Sequence, residues 1–294
     1  MQKAAESDNR NFEAHRLPHQ TVASLISPAT NKLLKRYIAK EMHTVWGNLH
    51  PVDAACYAAL MTCQTATGVS GSAVEIGVSQ GRSLFLMARA LAPGERVYGI
   101  DLFDHDANGN PGQGQLEAFK GYARRLGLSI PDECIHVGPS EEVQAETILA
   151  TVGPARFFSV DGGHLLHHVQ NDARLAAASI GVDGIITFDD FCNPEWPETT
   201  LGVLDFMRLE DHGLVPFCIT KDKLFVCRTA YQNRYAAAVR ESSWTKGYRK
   251  NEAQLLGSTM VWVHHDFIDR VIYYALERFG LDQLAYYRQA HRPL

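Results

Sequence analysis

The chain contains 294 residues, of which 46% are hydrophobic and 21% are charged, so it can bury a sizeable core. Its net charge of −5, without a concentrated basic stripe, argues against nucleic acid as a partner. No apolar run approaches the roughly 18 residues of a membrane helix, and the polar residues 1–16 lack the apolar core of a signal peptide. Six cysteines without a C-x-x-C spacing indicate free thiols in a reducing compartment, which predicts a cytoplasmic protein without a membrane partner.

Residues 1–69 predict a helical N-terminal cap. After a polar lead-in of about 20 residues, apolar side chains recur at helical spacing over residues 20–42, and residues 51–67 form a second helical pattern. The aromatic turn at 45–50, which contains Trp46, lies between them. It either reaches over a bound ligand or packs as an ordinary turn.

The chain is organised around residues 73–83, which read Ala-Val-Glu-Ile-Gly-Val-Ser-Gln-Gly-Arg-Ser. This pattern predicts a strand, a glycine turn and a helix start, which together bring backbone N–H groups to a nucleotide-like ligand. Glycine is needed at 77 and 81 because a side chain would keep the ligand away from the backbone. The strand at 96–101 ends in Asp101, whose carboxylate can accept hydrogen bonds from two ribose hydroxyls.

The glycine spacing separates two classes of ligand. Dinucleotide enzymes use G-x-G-x-x-G, whereas here Glu75, Gly77 and Gly81 give E-x-G-x-x-x-G, without the close glycine pair. This spacing disfavours a nicotinamide oxidoreductase but leaves it open at this point.

From residue 71 onward, short apolar strands alternate with helical patterns, which predicts a parallel sheet covered by helices. The strands at 215–220 and 224–228 are separated by only three residues, which requires an antiparallel hairpin. The predicted fold is α/β: a Rossmann-like, doubly wound, seven-stranded sheet with a C-terminal antiparallel β-hairpin. The predicted domains are the cap (1–69), the core (70–229) and a helical C-terminal extension (230–294). Within this extension, a helix at 261–279 packs on the core or on a second subunit, which makes a homodimer plausible.

Three acids fall where strands four and five end: Asp161, Asp189 and Asp190. If those strands are neighbours, the carboxylates converge, and they repel unless a cation binds them or their pKa values rise. Helix capping or turn chemistry explains one such acid but explains three poorly. Oxygen-only ligation favours Mg²⁺, with Mn²⁺ or Ca²⁺ as alternatives.

The E-x-G-x-x-x-G motif, the acid that ends the second strand and the closing hairpin together resemble class I S-adenosylmethionine-dependent methyltransferases. More narrowly, Val-Asp-Gly-Gly-His at 160–164 and Phe-Asp-Asp at 188–190 resemble the metal-dependent macrocin and mycinamicin sugar O-methyltransferases. The resemblance covers about residues 70–229. It implies Asp161, Asp189 and Asp190 as Mg²⁺ ligands and His164 as general base. Some members of the family use an acid two residues after the first ligand instead, but Gly163 stands there in this chain.

The resemblance also implies S-adenosylmethionine as cofactor. Glu75 and the glycine turn would approach its amino acid end and sugar, and Asp101 would hold the ribose. Phe103 would face the adenine, unless it belongs to the core, and Ser140 would reach the adenine edge. The full set of expected cofactor-binding residues is Glu75, Gly77, Gly81, Ser83, Asp101, Phe103, Ser140 and Asp161.

These parts predict a Mg²⁺-assisted O-methyltransferase whose acceptor is a hydroxyl of a sugar, glycoside or other polyol-type small molecule. The metal would lower the pKa of the hydroxyl, His164 would remove the proton, and the oxygen would attack the methyl group in line. Trp196, in the proline-rich loop 191–197, either stacks on a sugar or anchors packing. The loop at 104–114 is expected to act as a lid. The alternatives are a metal-independent methyltransferase and a non-catalytic S-adenosylmethionine-binding protein.

Overall fold

The computed structural model describes residues 28–106 and 108–265, together with 271–272, 275–276 and 278–279. The predicted lead-in and the start of the first predicted helix lie outside these described residues. So does most of the predicted C-terminal helix beyond residue 265. Within the described part of the chain, no helix is both long and apolar enough to cross a membrane.

From residue 28 onward, the N-terminal region is helical. Helix α1 (Pro28–Arg36) continues through a π turn (Tyr37–Glu41) and a 3₁₀ turn (Met42–Thr44). Helix α2 (Pro51–Ala66) begins with a proline, whose fixed φ suits the first position of a helix. Nearly every side chain of α2 is buried, so this helix forms part of the core rather than lying over it.

The central region alternates strands and helices, and its five strands pair in parallel in the order β3-β2-β1-β4-β5. The residues after β4 and β5 therefore meet at one edge of the sheet. The elements are β1 (Ser72–Ile76), α3 (Arg82–Ala90), β2 (Val97–Asp101), α4 (Gln115–Arg125), β3 (Ile135–Val137), α5 (Ala145–Val152), β4 (Ala155–Val160), α6 (Leu166–Ser179) and β5 (Ile180–Phe188).

The predicted hairpin closes this sheet. After α7 (Pro197–Leu209), β6 (Leu214–Ile219) and β7 (Leu224–Arg228) pair antiparallel, and β7 inserts between β5 and β6. Leu224, at the start of β7, lies opposite Phe188, at the end of β5. The hairpin turn therefore lies at the same edge of the sheet as the predicted acids.

The C-terminal prediction requires a correction. After α8 (Gln232–Glu241), the chain forms a second hairpin, β8 (Arg249–Leu255) and β9 (Ser258–His264), and β9 pairs with β6. The described residues thus form a nine-stranded sheet rather than seven strands, and the helix predicted from residue 261 is wrong over residues 261–264. Val261 and Val263 are buried while Trp262 between them is partly exposed, which is the period of a strand. The domain boundaries themselves remain predictions.

Both faces of the sheet are covered. On β4, Phe157 and Phe158 point to opposite faces and both are fully buried, as expected for a central parallel strand. Arg156, on the same strand, is also buried, and its guanidinium donates to the backbone oxygens of Met61 and Ala90 and to Glu95. One buried cation therefore joins β4, α2, α3 and the turn that follows α3.

Candidate active site

The glycine turn brings the end of β1 against the residue that follows β4. Gly77 has φ +84°, and a Cβ atom there would lie 1.7 Å from the backbone oxygen of Asp161. Gly81 has φ +96° directly before α3, where a Cβ atom would lie 2.5 Å from the ring of Phe85. Both predicted glycines are thus required by backbone conformation and close approach.

Two acids flank this turn. Glu75 is fully buried, and burial raises its pKa to about 8, although the nearby hydroxyls of Ser83 and Ser159 act to lower it. The carboxylate of Asp101 accepts hydrogen bonds from the backbone N–H groups of Ser79 (2.7 Å) and Phe103 (2.6 Å), and burial raises its pKa. Buried carboxyl groups beside the glycine turn fit a cofactor that carries an ammonium group and ribose hydroxyls.

The remaining predicted cofactor residues differ in their surroundings. Ser83 is buried in the first turn of α3. Phe103 is 6% exposed and its ring lies 5.8 Å from that of Phe119, so it packs in the core, and its contact with adenine stays a prediction. The hydroxyl of Ser140 donates to Asp172 at 2.5 Å. Asp172 lies beyond the predicted set, and burial raises its pKa to about 6.

A buried lysine that the sequence analysis did not anticipate lies among the acids. The ammonium nitrogen of Lys223 is 2.5 Å from Oδ2 of Asp189 and 3.9 Å from Oδ2 of Asp161. Burial and the charge of Asp189 raise the pKa of Asp161 well above its usual range. Burial alone would lower the pKa of Lys223, but Asp189 and the other acidic groups around it raise this pKa above its ordinary value.

His164 and Asp190 form a second polar pair. Nε2 of His164 lies 2.9 Å from Oδ2 of Asp190, whose other oxygen accepts from the side-chain amide of Asn193 at 2.5 Å. Burial would raise the pKa of Asp190, but the hydrogen bonds from His164 and Asn193 lower it below its ordinary value. Trp196 stacks on the imidazole, with ring centroids 4.2 Å apart and 17° between planes. One face of Trp196 therefore packs on His164.

The predicted oxygen-only Mg²⁺ site does not assemble from these residues. The atoms within 4.8 Å of one another belong to Asp161, His164 and Asp190, whereas Asp189 is held by Lys223. The lysine supplies a positive charge where the sequence predicted a metal. His164 and Asn193 already occupy the oxygens of Asp190. The three predicted ligands thus fit the predicted ion poorly.

These residues line a small cleft that opens to solvent. Its polar wall contains Asp161, His164, Asp189 and Asp190, and Val169 and Val203 form part of its apolar wall. Asp161 belongs both to this cleft and to the contact with Gly77, so the cleft adjoins the glycine turn. The arrangement can bind a small polar molecule beside the predicted cofactor.

The aromatic turn lies over the start of α3. The backbone oxygen of Val45 accepts two hydrogen bonds from Arg82, at 2.8 and 2.6 Å. The ring of Trp46 packs against Gly109 in the loop predicted as a lid, where a Cβ atom would lie 2.1 Å from the indole. The turn therefore packs against this loop, and the lid role remains a prediction.

Sequence reasoning missed Lys223 and Asp53. Lys223 was visible in the three-residue connection of the hairpin, and the expected pairing of that hairpin with the strand ending at Asp189 would have placed it near the acids. Asp53 lies in the first turn of α2 and is 1% exposed. Burial raises its pKa to about 7. An acid among apolar residues at a helix start carries no signal of this environment.

Comparison with known proteins gave one family match: residues 74–191 match the model of a methyltransferase domain. No curated protein matches significantly. Similar solved structures include the O-methyltransferase NovP (16% identity, TM-score 0.48, covering 59% of this chain and 78% of that chain). A second is apo CalS11, a TDP-rhamnose 3′-O-methyltransferase of calicheamicin biosynthesis (16% identity, TM-score 0.44, covering 69% of this chain and 95% of that chain). A third is TomG of Streptomyces achromogenes, involved in tomaymycin synthesis (16% identity, TM-score 0.42, covering 67% of this chain and 89% of that chain). Similarity at this level assigns no activity to the chain.

The family match begins in β1, contains the glycine turn and ends directly after Asp189 and Asp190. It therefore includes the elements from which the resemblance was inferred. For residues 74–191, this match confirms the predicted resemblance to the class I S-adenosylmethionine-dependent methyltransferases.

Proposed function

We propose that this protein transfers the methyl group of S-adenosylmethionine to a hydroxyl of a sugar or polyol-type small molecule. The observation that supports this proposal is the His164–Asp190 pair, 2.9 Å apart in a cleft that adjoins the glycine turn through Asp161. A histidine held by a carboxylate is the arrangement that removes a proton from a hydroxyl near neutral pH. A protein that only bound the cofactor would not need it.

In the proposed reaction, the Nε2–H group of His164 donates a hydrogen bond to Asp190, which leaves the Nδ1 lone pair free to accept the hydroxyl proton. Asp190 stabilises the imidazolium that forms, and stacking on Trp196 keeps the ring in plane. The acceptor oxygen forms a bond to the methyl carbon as the carbon–sulfur bond breaks, and the proton stays on His164. S-adenosylhomocysteine leaves, and most of the catalysis comes from holding the two reactants in line.

The acceptor class follows from the chemistry of the cleft. The carboxylates of Asp161 and Asp189, partly exposed on the cleft wall, accept hydrogen bonds from hydroxyl groups next to the one that reacts. Acceptors with several adjacent hydroxyls are therefore favoured over apolar ones.

The Mg²⁺-assisted reaction that the sequence predicts is the alternative form of this proposal. In it, Asp161, His164 and Asp190 would hold the ion, because their ligand atoms lie within 4.8 Å of one another. His164 would then be a ligand, which makes it a poor general base. The contact between Lys223 and Asp189 favours the metal-independent form, because it already places a cation at the acids.

A calorimetric titration with S-adenosylhomocysteine, in Mg²⁺ and again in EDTA, tests the cofactor, with Asp101→Ala as control. We expect micromolar binding in both buffers that the control loses.

A methyl-transfer screen over sugars, glycosides and catechols then tests the general base, with His164→Ala and the neighbouring His167→Ala as a matched pair. His164→Ala should bind the cofactor but transfer no methyl, and normal turnover by this variant would contradict the proposed mechanism.

A further inference from the structure

The backbone of the hairpin between β6 and β7 sets the position of Lys223. Its backbone N–H donates to the hydroxyl of Thr220 at 3.3 Å, and its backbone oxygen accepts from the N–H of Thr220 at 3.0 Å. These bonds fix the start of β7 beside the end of β5, since Leu224 pairs with Phe188. The side chain then runs into the protein, where it is only 3% exposed.

Several acidic groups surround the ammonium. Besides Asp189 and Asp161, the ammonium interacts electrostatically with the buried carboxyl groups of Glu75 and Asp53. In the part of the chain that the structure describes, Lys223 is the cation within 4 Å of both Asp161 and Asp189. Without it, the two carboxylates would face each other uncompensated at the bottom of the cleft.

The exposed fractions of these side chains show which groups of the cluster face the cleft. The side chain of Asp161 is 23% exposed and that of Asp189 is 14% exposed, whereas that of Lys223 is 3% exposed. The carboxylates thus line the cleft, and the ammonium lies behind them, away from solvent. An acceptor in the cleft would touch the acids but not the lysine.

We infer that Lys223 is the built-in cation of the acidic cluster and positions the Asp161 and Asp189 carboxylates toward the acceptor, in the role that the sequence assigned to Mg²⁺. Lys223 is a positioning residue, because it acts through the two acids. The acceptor part of this inference rests on the proposed function, but the identity of the resident cation does not. Wild-type protein therefore needs no divalent ion at Asp189, since such an ion would have to displace the ammonium from that carboxylate.

Calorimetric titration with Mn²⁺ alone tests the inference. Wild type and Lys223→Arg, which both keep the positive charge, should show no one-to-one binding. Lys223→Met exposes the acids and should bind Mn²⁺ at least about tenfold more tightly than wild type. The double variant Lys223→Met/Asp189→Asn removes both partners and should lose this gain. A purely structural role for Lys223 would not create a metal site.

One-to-one binding of Mn²⁺ to wild type that Asp189→Asn abolishes would overturn the inference, because it would show that the metal displaces the lysine from Asp189. If Lys223→Met does not fold, the wild-type, Asp189→Asn and Lys223→Arg titrations still decide the point. Titrating the same samples with S-adenosylhomocysteine separates the two claims. If wild-type protein does not bind S-adenosylhomocysteine, the proposed function is refuted. The Mn²⁺ titrations would still test the inference that Lys223 is the resident cation.

Discussion

Replacing Gly77 with alanine should destabilise the protein far more than an ordinary glycine substitution. The new Cβ atom would lie 1.7 Å from the backbone oxygen of Asp161, whereas carbon and oxygen normally stay about 3.3 Å apart. The two chain segments cannot separate easily, because the N–H of Asp161 donates a hydrogen bond to the backbone oxygen of Ile76 at 2.9 Å. We expect about 1–2 kcal/mol from the left-handed backbone and a further ~2–3 kcal/mol from forcing β1 and β4 apart.

Gly94 provides a matched control. Its φ of +90° is close to the +84° of Gly77, but a Cβ atom there would have nothing within 4 Å. Gly94→Ala should therefore lose only the backbone contribution of about 1–2 kcal/mol. Equilibrium unfolding in guanidinium chloride measures both losses, and titration with S-adenosylhomocysteine should show weaker binding for Gly77→Ala alone. Equal losses of stability in the two variants would refute the reasoning that this glycine is required by close approach.

Three further variants test other buried groups. Burial raises the pKa of Glu75 from 4.5 to about 8, so between these pH values the folded state retains a proton that the unfolded state has released. The free energy of unfolding should therefore fall by up to about 1.4 kcal/mol per pH unit as pH rises through this window. Glu75→Gln should remove this dependence; an unchanged slope in unfolding curves from pH 5 to 8 would contradict it. Arg156→Met should cost about 3–5 kcal/mol by leaving Glu95 buried without its partner, and adding Glu95→Gln should recover part of the loss. Asp190→Asn should lower kcat by about 10²–10⁴-fold with unchanged cofactor binding, because His164 loses the group that orients it; a normal kcat would exclude that role.

Local patterns in the sequence were sufficient to predict the core and much of the site. Alternating strands and helices predicted the parallel sheet, and the three-residue connection predicted the hairpin. The glycines at 77 and 81 marked the turn because their backbone conformation excludes most other residues. Asp161 and Asp189 follow adjacent strands, as their N–H groups bonded to Ile76 and Val160 show. Such features are recognisable from sequence because they depend on short-range periodicity and backbone geometry.

Tertiary structure decided which groups the predicted acids pair with. Lys223 meets Asp189 only because β7 inserts beside β5, and no periodicity in the chain specifies which side chains meet across strands distant in sequence. For the same reason Trp196 was found against His164, and Phe103 against Phe119. The second hairpin was misjudged because a short run of valines around Trp262 satisfies helical spacing as well as strand alternation, and only pairing with β6 distinguishes them. Sequence determined where the charged groups would gather, and long-range packing determined which of them pair.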